Sequence, residues 1–258
     1  MLSLIRFIKM HGAGNDYVFV DCRRQHVPDP TALARAISDR HRGVGSDGLI
    51  LLLPSHTADV AMRIFNADGS EAEMCGNAAR CAARYAWEQK WVIHSPLRLE
   101  TRSGIRTLWQ TSNGSVTVAM GEPVLLPEKC IFFQEEVLTC LSIGNPHAVL
   151  MIPDVLRFPL EEAGKAIALQ SDCNLEIVQA LSPDRLRVRV WERGSGETQA
   201  CGTGACASVV AAIQQGLCCR DTDIAVEMPG GILTVRWQAD NTILLTGDAV
   251  LVFRGEWE

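Results

Sequence analysis

The 258-residue sequence contains no run approaching the roughly 18 consecutive apolar residues that a membrane-spanning helix needs. Its apolar N-terminal stretch is broken by Arg6 and Lys9, and no small-residue cleavage site follows. A secretory leader is therefore not expected, and the cytoplasm is the expected location. There is no basic face or stripe: 24 Lys and Arg stand against 30 Asp and Glu, for a net charge of −6. That balance argues against a nucleic-acid partner. C-x-x-C pairs and H-E-x-x-H are both absent, so no metal site is expected. Residues 194–204 hold four glycines, but no Gly-Lys-Ser/Thr follows, which speaks against a nucleotide-binding loop.

The sequence is rich in cysteine, with ten. In a reducing compartment these are thiols, and a lone cysteine is most often a small buried apolar side chain. Cys22, Cys81, Cys130, Cys140, Cys173, Cys206, Cys218 and Cys219 take that reading. Cys75 and Cys201 do not, because the chain repeats itself around them. Residues 63–75 and 189–201 both start Arg–aliphatic–aromatic, carry Glu at the ninth position and end on Cys followed by Gly, without a gap. An Ala-rich stretch follows each Cys-Gly. Leu97–Glu100 with Gly104–Thr107 resembles Ile224–Glu227 with Gly231–Thr234, and Gly14-Asn15 resembles Gly144-Asn145. A period near half the chain length implies duplication into two lobes rather than a solenoid.

Each repeat predicts a strand (Val60 to Asn66, Arg185 to Trp191), a Gly-containing turn, and a helix opening at Cys-Gly. These helices are expected over 76–90 and 202–215, with Gly216 closing the second. Their alanines suit burial against or inside a sheet. Further helices are expected over 30–40, with Pro in the first turn, and over 160–169. Strands are expected over 115–120, 138–143 and 242–253. The fold class is α+β, in two lobes with the active site expected between them. The Pro-bearing stretch Gly121–Pro127 marks the boundary, giving 1–121 with 249–258 and 122–248.

A cysteine at a helix N-terminus sits among free N–H groups and the positive end of the helix dipole, which lower its pKa. One thiolate and one thiol facing each other are an acid and a base of nearly equal strength. Such a pair can remove a proton from one face of a carbon and deliver one to the other. The glycines after each cysteine admit a ligand to the backbone, and the N–H groups there can cradle a carboxylate. A redox dithiol is the alternative for this pair.

Six segments are similar to the diaminopimelate epimerase family: His11-Gly-Ala-Gly-Asn-Asp-Tyr, Gly43-Val-Gly-Ser-Asp-Gly, Phe65-Asn-Ala-Asp-Gly-Ser, Glu73-Met-Cys-Gly-Asn, Gly144-Asn-Pro-His and Glu192-Arg-Gly-Ser-Gly-Glu-Thr-Gln-Ala-Cys-Gly-Thr-Gly. The likeness runs from residue 7 through Met228-Pro-Gly-Gly to near the C-terminus. It implies an isomerase that interconverts LL- and meso-diaminopimelate in lysine and peptidoglycan synthesis. It also implies two pseudo-symmetric lobes, each a mixed sheet or barrel wrapped round a central helix, and no cofactor. By resemblance the catalytic pair falls on Cys75 and Cys201, and the carboxylate cradle on Gly76, Asn77, Gly202 and Thr203. The ligands of the substrate's distal end fall on Asn15, Asn66, Asn145, Asn174, Glu192 and Arg193. Arg193 can fork onto a carboxylate, Glu192 can accept from an ammonium, and asparagines can serve either without adding charge. The expected partner is a small amino acid, and a homodimer is left open. A racemase of another amino acid, such as histidine, would have less use for that distal set. His147 is read as a structural or site-shaping residue, and Asp16, Asp47 and Asp68 as turn formers. Ala78, Gly247-Asp-Ala and a short stretch over 122–172 depart from the family pattern, and Gly48 stands where some members carry Gln.

Overall fold

The structure, a computed structural model, describes residues 4–129 and 131–258. Cys130, expected to be a buried thiol, lies outside the described residues. The chain divides into two compact units: residues up to Val118 with Gly247–Glu258, and Ala119–Thr246.

In the first unit, β1 (Ile5–Gly12) and β2 (Asn15–Asp21) form a hairpin with Gly12 opposite Asn15. Its two turn residues, Ala13 and Gly14, both have positive φ (51° and 78°), the geometry that matches the twist of paired strands. α1 (Pro30–Ser38) starts where Asp29 accepts from the Ala32 N–H and Pro30 opens the first turn. β3 (Gly48–Leu53) then runs parallel to β2, and β4 (Val60–Asn66) antiparallel to β3. β5 (Glu71–Ala72) folds back on β4 and leads into α2 (Gly76–Glu88). β6 (Leu97–Thr101) lies parallel to β4, with β7 (Gly104–Gln110) and β8 (Val116–Gly121) following antiparallel.

The sheet has helices on both faces. α2 packs against β1, β4, β6 and β7. Its Ala78, Ala79, Ala82, Ala83 and Ala86 are wholly buried, and their small side chains let the sheet close round the helix. α1 covers the other face, where Leu33, Ala34 and Ile37 meet Leu49, Leu51 and Phe65. Buried on both sides, β3 reads Gly-Leu-Ile-Leu-Leu-Leu instead of alternating.

The second unit repeats this order. β9 (Val124–Leu125) pairs with β12 (Thr139–Ser142), and a small hairpin of β10 (Phe132–Phe133) and β11 (Glu136–Val137) intervenes. β13 (Pro146–Met151) is antiparallel to β12. α3 (Leu160–Gln170) leads to β14 (Asn174–Ser182), parallel to β13. β15 (Arg185–Glu192) and β16 (Gly196–Thr198) precede α4 (Gly202–Gln214), which packs on β12, β13, β14, β15, β17 (Ile224–Met228) and β18 (Gly231–Trp237). β19 (Ile243–Gly247) pairs with β18, and the chain then re-enters the first unit, where β20 (Val250–Trp257) pairs with β1. β20 is to β1 what β9 is to β12.

The fold is therefore α+β, with a mixed sheet round a central helix in each lobe. No helix of the described residues is long and apolar enough to cross a membrane. Two expectations need correction. The run 242–253 is two strands, because Asp248 leaves the ladder: its carboxylate accepts from Ala13 N–H at 2.7 Å and its carbonyl from Arg80 Nε at 3.2 Å. Cys22, just past the end of β2, is half-buried, and Cys219, in the connection between α4 and β17, is exposed.

Candidate active site

Cys75 is the N-cap of α2, in extended backbone (φ −141°, ψ 119°), and its carbonyl accepts the first helical hydrogen bond from Ala79 N–H. Around its sulfur stand groups from β2 and the first helical turn. Tyr17 Oη donates to Sγ at 3.5 Å, and Sγ donates to Asn15 Oδ1 at 3.5 Å. Asn77 Nδ2 donates to the same Asn15 oxygen at 3.2 Å. The Asn15 amide is held the right way round by Asp47, whose Oδ2 accepts from Asn15 Nδ2 at 2.6 Å. Asp47 in turn pairs with Arg40, which also binds Asp16, and Asp16 pairs with the buried Lys9. The arms of Arg40 and Lys9 hold the Asp16 carboxyl below its usual range against its own burial. Asn77 Oδ1 accepts from the wholly buried Arg80 at 2.8 Å. Burial and the adjacent Cys75 push the Tyr17 phenol well above its usual range, so it stays protonated and a donor.

Cys201 is the N-cap of α4 in the same extended backbone (φ −126°, ψ 115°). Gly204 N–H donates to its sulfur at 3.4 Å, and Thr203 Oγ1 lies at 3.4 Å. Glu192 from the end of β15 shares a hydrogen bond with the thiol, and Thr198 Oγ1 donates to Glu192 Oε1 at 2.5 Å. His147 Nδ1 is 2.7 Å from Glu176 Oε1, and its Nε2 is 3.0 Å from Asn145 Oδ1. Here the structure reverses one expectation. The thiol of Cys201 is pushed well above its ordinary value, first by burial and then by the fields of Glu192 and Glu176; Thr203 and the Gly204 N–H oppose this and lose. Burial likewise raises the Glu192 carboxyl.

Of the residues expected at the site, Asn15, Gly76 and Asn77 gather at Cys75, and Glu192, Gly202 and Thr203 at Cys201. Asn145 joins the second group through His147. Asn66 is exposed and turned to its own loop, donating to Ser70 Oγ at 2.9 Å. Asn174 Oδ1 accepts from Arg193 N–H at 2.9 Å, and the exposed Arg193 guanidinium pairs with Asp172. Sequence reasoning overlooked Tyr17, Glu176 and Thr198, and took Asp47 for a turn former only. The signal for Glu176 is a lone carboxylate inside the aliphatic strand Asn174-Leu-Glu-Ile-Val. Among the described residues no group of His, Cys, Asp and Glu is arranged to hold a metal ion.

The sequence profile of diaminopimelate epimerase matches residues 7–126 and 139–252, leaving out the stretch that carries the β10–β11 hairpin. A diaminopimelate epimerase of Bacteroides thetaiotaomicron is 46% identical over 100% of both chains. One of Methanococcus maripaludis is 45% identical over 98% of this chain and 99% of its own. Among solved structures, a phenazine biosynthesis protein of the PhzF family from Bacillus anthracis superposes with a TM-score of 0.79 at 16% identity, covering 100% of both chains. A probable proline racemase from Agrobacterium radiobacter gives 0.73 at 17%, over 98% of this chain and 93% of its own. At those identities the solved structures speak to the fold alone, whereas the profile and the near-full-length relatives define the family: the chain belongs to the diaminopimelate epimerases.

Proposed function

We propose that this chain interconverts LL- and meso-diaminopimelate, an isomerase step of lysine and peptidoglycan synthesis in the cytoplasm, with Cys75 and Cys201 as its acid and base. The observation that carries this reading is the occurrence of the same device twice: a cysteine at the N-cap of a buried, alanine-rich central helix, followed by glycine. Lobes of residues 1–121 with 249–258 and 122–248 would each supply one. One sulfur takes the α-proton as a thiolate, and the other, as a thiol, returns a proton to the opposite face of the carbon; in reverse the roles exchange. The backbone N–H groups of Gly76, Asn77, Gly202 and Thr203 receive the charge that spreads into the α-carboxylate.

Cys201 rests as the thiol, because burial, and after it the fields of two carboxylates, disfavour its anion. A substrate ammonium beside Glu192 would offset that carboxylate's part of the field and bring the Cys201 thiol closer to ionisation. This moves Glu192 from the distal end of the substrate to the reacting end. Asn66, Asn145, Asn174 and Arg193, with Asn15, remain assigned to the distal head, and Arg193 must leave Asp172 to fork onto a carboxylate.

The test is incubation in D₂O under reducing conditions with LL-diaminopimelate, and separately with L-histidine and L-glutamate, following loss of the Cα proton and stereochemistry. Exchange with inversion for diaminopimelate is expected. Exchange with another amino acid alone would overturn the substrate, and no exchange at all the activity. Cys75→Ala and Cys201→Ala should each abolish two-way epimerisation; full activity in either ends the two-thiol assignment.

A further inference from the structure

The repeated segments 63–75 and 189–201 keep one register in the folded chain, so the two units can be compared place by place. In the first, Ile64 lies opposite Ala72 and Phe65 opposite Glu71; in the second, Val190 lies opposite Thr198 and Trp191 opposite Glu197. One face of the two hairpins is built alike: Arg63 pairs with Glu71 and Arg189 with Glu197, each at 2.8 Å. On the other face the units part. Asn66, Ser70 and Ala72 of the first answer to Glu192, Gly196 and Thr198 of the second.

The side chains at 66 and 192 are held by different neighbours. Asn66 is exposed and bound to its own loop, where its Nδ2 donates to Ser70 Oγ at 2.9 Å. Gly196 cannot lend a hydroxyl in the same way, because its φ of 79° lies in the left-handed region that favours glycine. The hydroxyl comes instead from Thr198, the diagonal neighbour of Glu192 across the strand pair, which is within reach of a long side chain. Thr198 Oγ1 donates to Glu192 Oε1 at 2.5 Å, and the same carboxylate shares a hydrogen bond with the Cys201 thiol. The hairpin itself has no need of that hydroxyl, since Ala72 fills the place in the first unit and offers nothing to bind. A side chain with as many rotors as Glu keeps one direction only when a second hydrogen bond fixes it.

We infer that Thr198 is a positioning residue of the Cys201 half-site: its hydroxyl tethers the Glu192 carboxylate in contact with the Cys201 thiol, where a substrate ammonium has to meet it. The tether also opposes the burial that raises the Glu192 carboxyl, and so helps to keep it charged. The titratable groups that face this carboxylate are Cys201 from α4, Glu176 from β14 and His147 from β13. The charges nearest in sequence are engaged elsewhere, Arg193 with Asp172 and Glu197 with Arg189. The field of Glu192 is one of the causes that raise the Cys201 thiol. A carboxylate that swings away and one that takes up a proton therefore act on the resting thiol in the same direction: its pKa falls.

Three variants test the tether. Thr198→Val keeps the shape without the hydroxyl, Thr198→Ala installs the residue of the first unit, and Thr198→Ser keeps the hydroxyl without the methyl. The kinetic arm rests on the reading of the chain as an enzyme that turns over diaminopimelate, and there kcat/KM should fall about tenfold or more in the Val and Ala variants. Thr198→Ser should recover to within about threefold of the wild type. A role in packing alone predicts the reverse order, with Val the mildest change. The second arm needs no substrate. Alkylation of Cys201 by iodoacetamide, followed by peptide mass mapping across pH, should shift downward by about one pH unit in the Val and Ala variants, and so run about tenfold faster at a fixed pH below the midpoint. The Ser variant should keep the wild-type profile. Where the buried sulfur reacts too slowly to time, the kinetic order of the variants decides alone. Wild-type kcat/KM in Thr198→Val, an unshifted profile, or losses that follow the urea midpoint instead of the hydroxyl would each overturn the positioning role. A wild type that leaves diaminopimelate untouched, while the alkylation of Cys201 still responds to removal of the hydroxyl, would sink the functional reading and leave the tether standing.

Discussion

At the residue scale, Cys75 and Cys201, the acid and base of the proposed mechanism, stand in two different surroundings. A residue proposed to serve as both acid and base needs partners for its protonated and its ionised form. Cys75 has both among neutral groups: Asn15 Oδ1 accepts from the thiol and Tyr17 Oη donates to the sulfur. Only the second contact survives ionisation, and it is then charge-assisted. Tyr17→Phe removes that donor and leaves the ring, its edge contact with Phe19 and the burial in place. A hydrogen bond to a charged group is worth about 1.5–3 kcal/mol, and so about 1–2 pH units on the thiol that receives it. The alkylation of Cys75 by iodoacetamide, followed by peptide mass mapping across pH, should therefore shift upward by that amount, with kcat/KM at neutral pH lower by about tenfold or more. An unshifted alkylation profile would show that the contact bears on packing only. The cysteines were readable because each closes a repeated segment. Glu176 was not, because a single Glu in a strand looks the same whether it is solvated or buried, and only the packing of α4 over β14 decides.

At the scale of elements, the alanine-rich helices and the strands beside them were legible to within two residues, because a central helix under a closed sheet must keep one composition along its whole length. What escaped was set by contacts distant in sequence. Asp248 interrupts the run after Thr242 because Ala13 and Arg80, far away in the chain, bind it. The β10–β11 hairpin has only two residues per strand, too few to show a period. α3 shows how closely an element is fitted. A Cβ on Gly164 would stand 2.2 Å from the Trp191 ring, so α3 can lie on β15 only with a glycine there. Gly164→Ala must push the helix off the strand. Overpacking of this kind costs about 1–3 kcal/mol, which should appear as a lowered urea midpoint with an unchanged slope. Gly114→Ala, with nothing within 4 Å but a positive φ of 85°, should cost only the local strain of about 1 kcal/mol. Equal losses at the two positions would mean that the fit of α3 on Trp191 is looser than it looks.

At the scale of the whole molecule, the abundance of cysteine has a consequence for stability at alkaline pH. Burial pushes the Cys81 thiol in the centre of α2 up to about 12, and that of Cys22 to about 11; the thiols of Cys173, Cys201 and Cys218 are raised as well. In every case the folded state holds the proton more tightly than the unfolded chain, whose thiols ionise near 9.0. The stability that this confers is whole below pH 9, where both states are protonated. Above it the unfolded chain gives up protons that the folded one keeps, and stability falls as pH rises toward the folded values. For Cys81, which is wholly buried, a rise from 9.0 to about 12 corresponds to a loss of about 4 kcal/mol over that interval, a large part of what a domain usually has. Urea unfolding at pH 8.0 and pH 10.5 should show a lower midpoint at the higher pH, with protons taken up on refolding. Cys81→Ala should be less stable than the wild type at pH 8.0, because it leaves a cavity in α2. It should nevertheless lose less on going to pH 10.5, because the group that titrates differently in the two states has gone. A loss as steep as the wild type's would place the alkaline sensitivity at another residue.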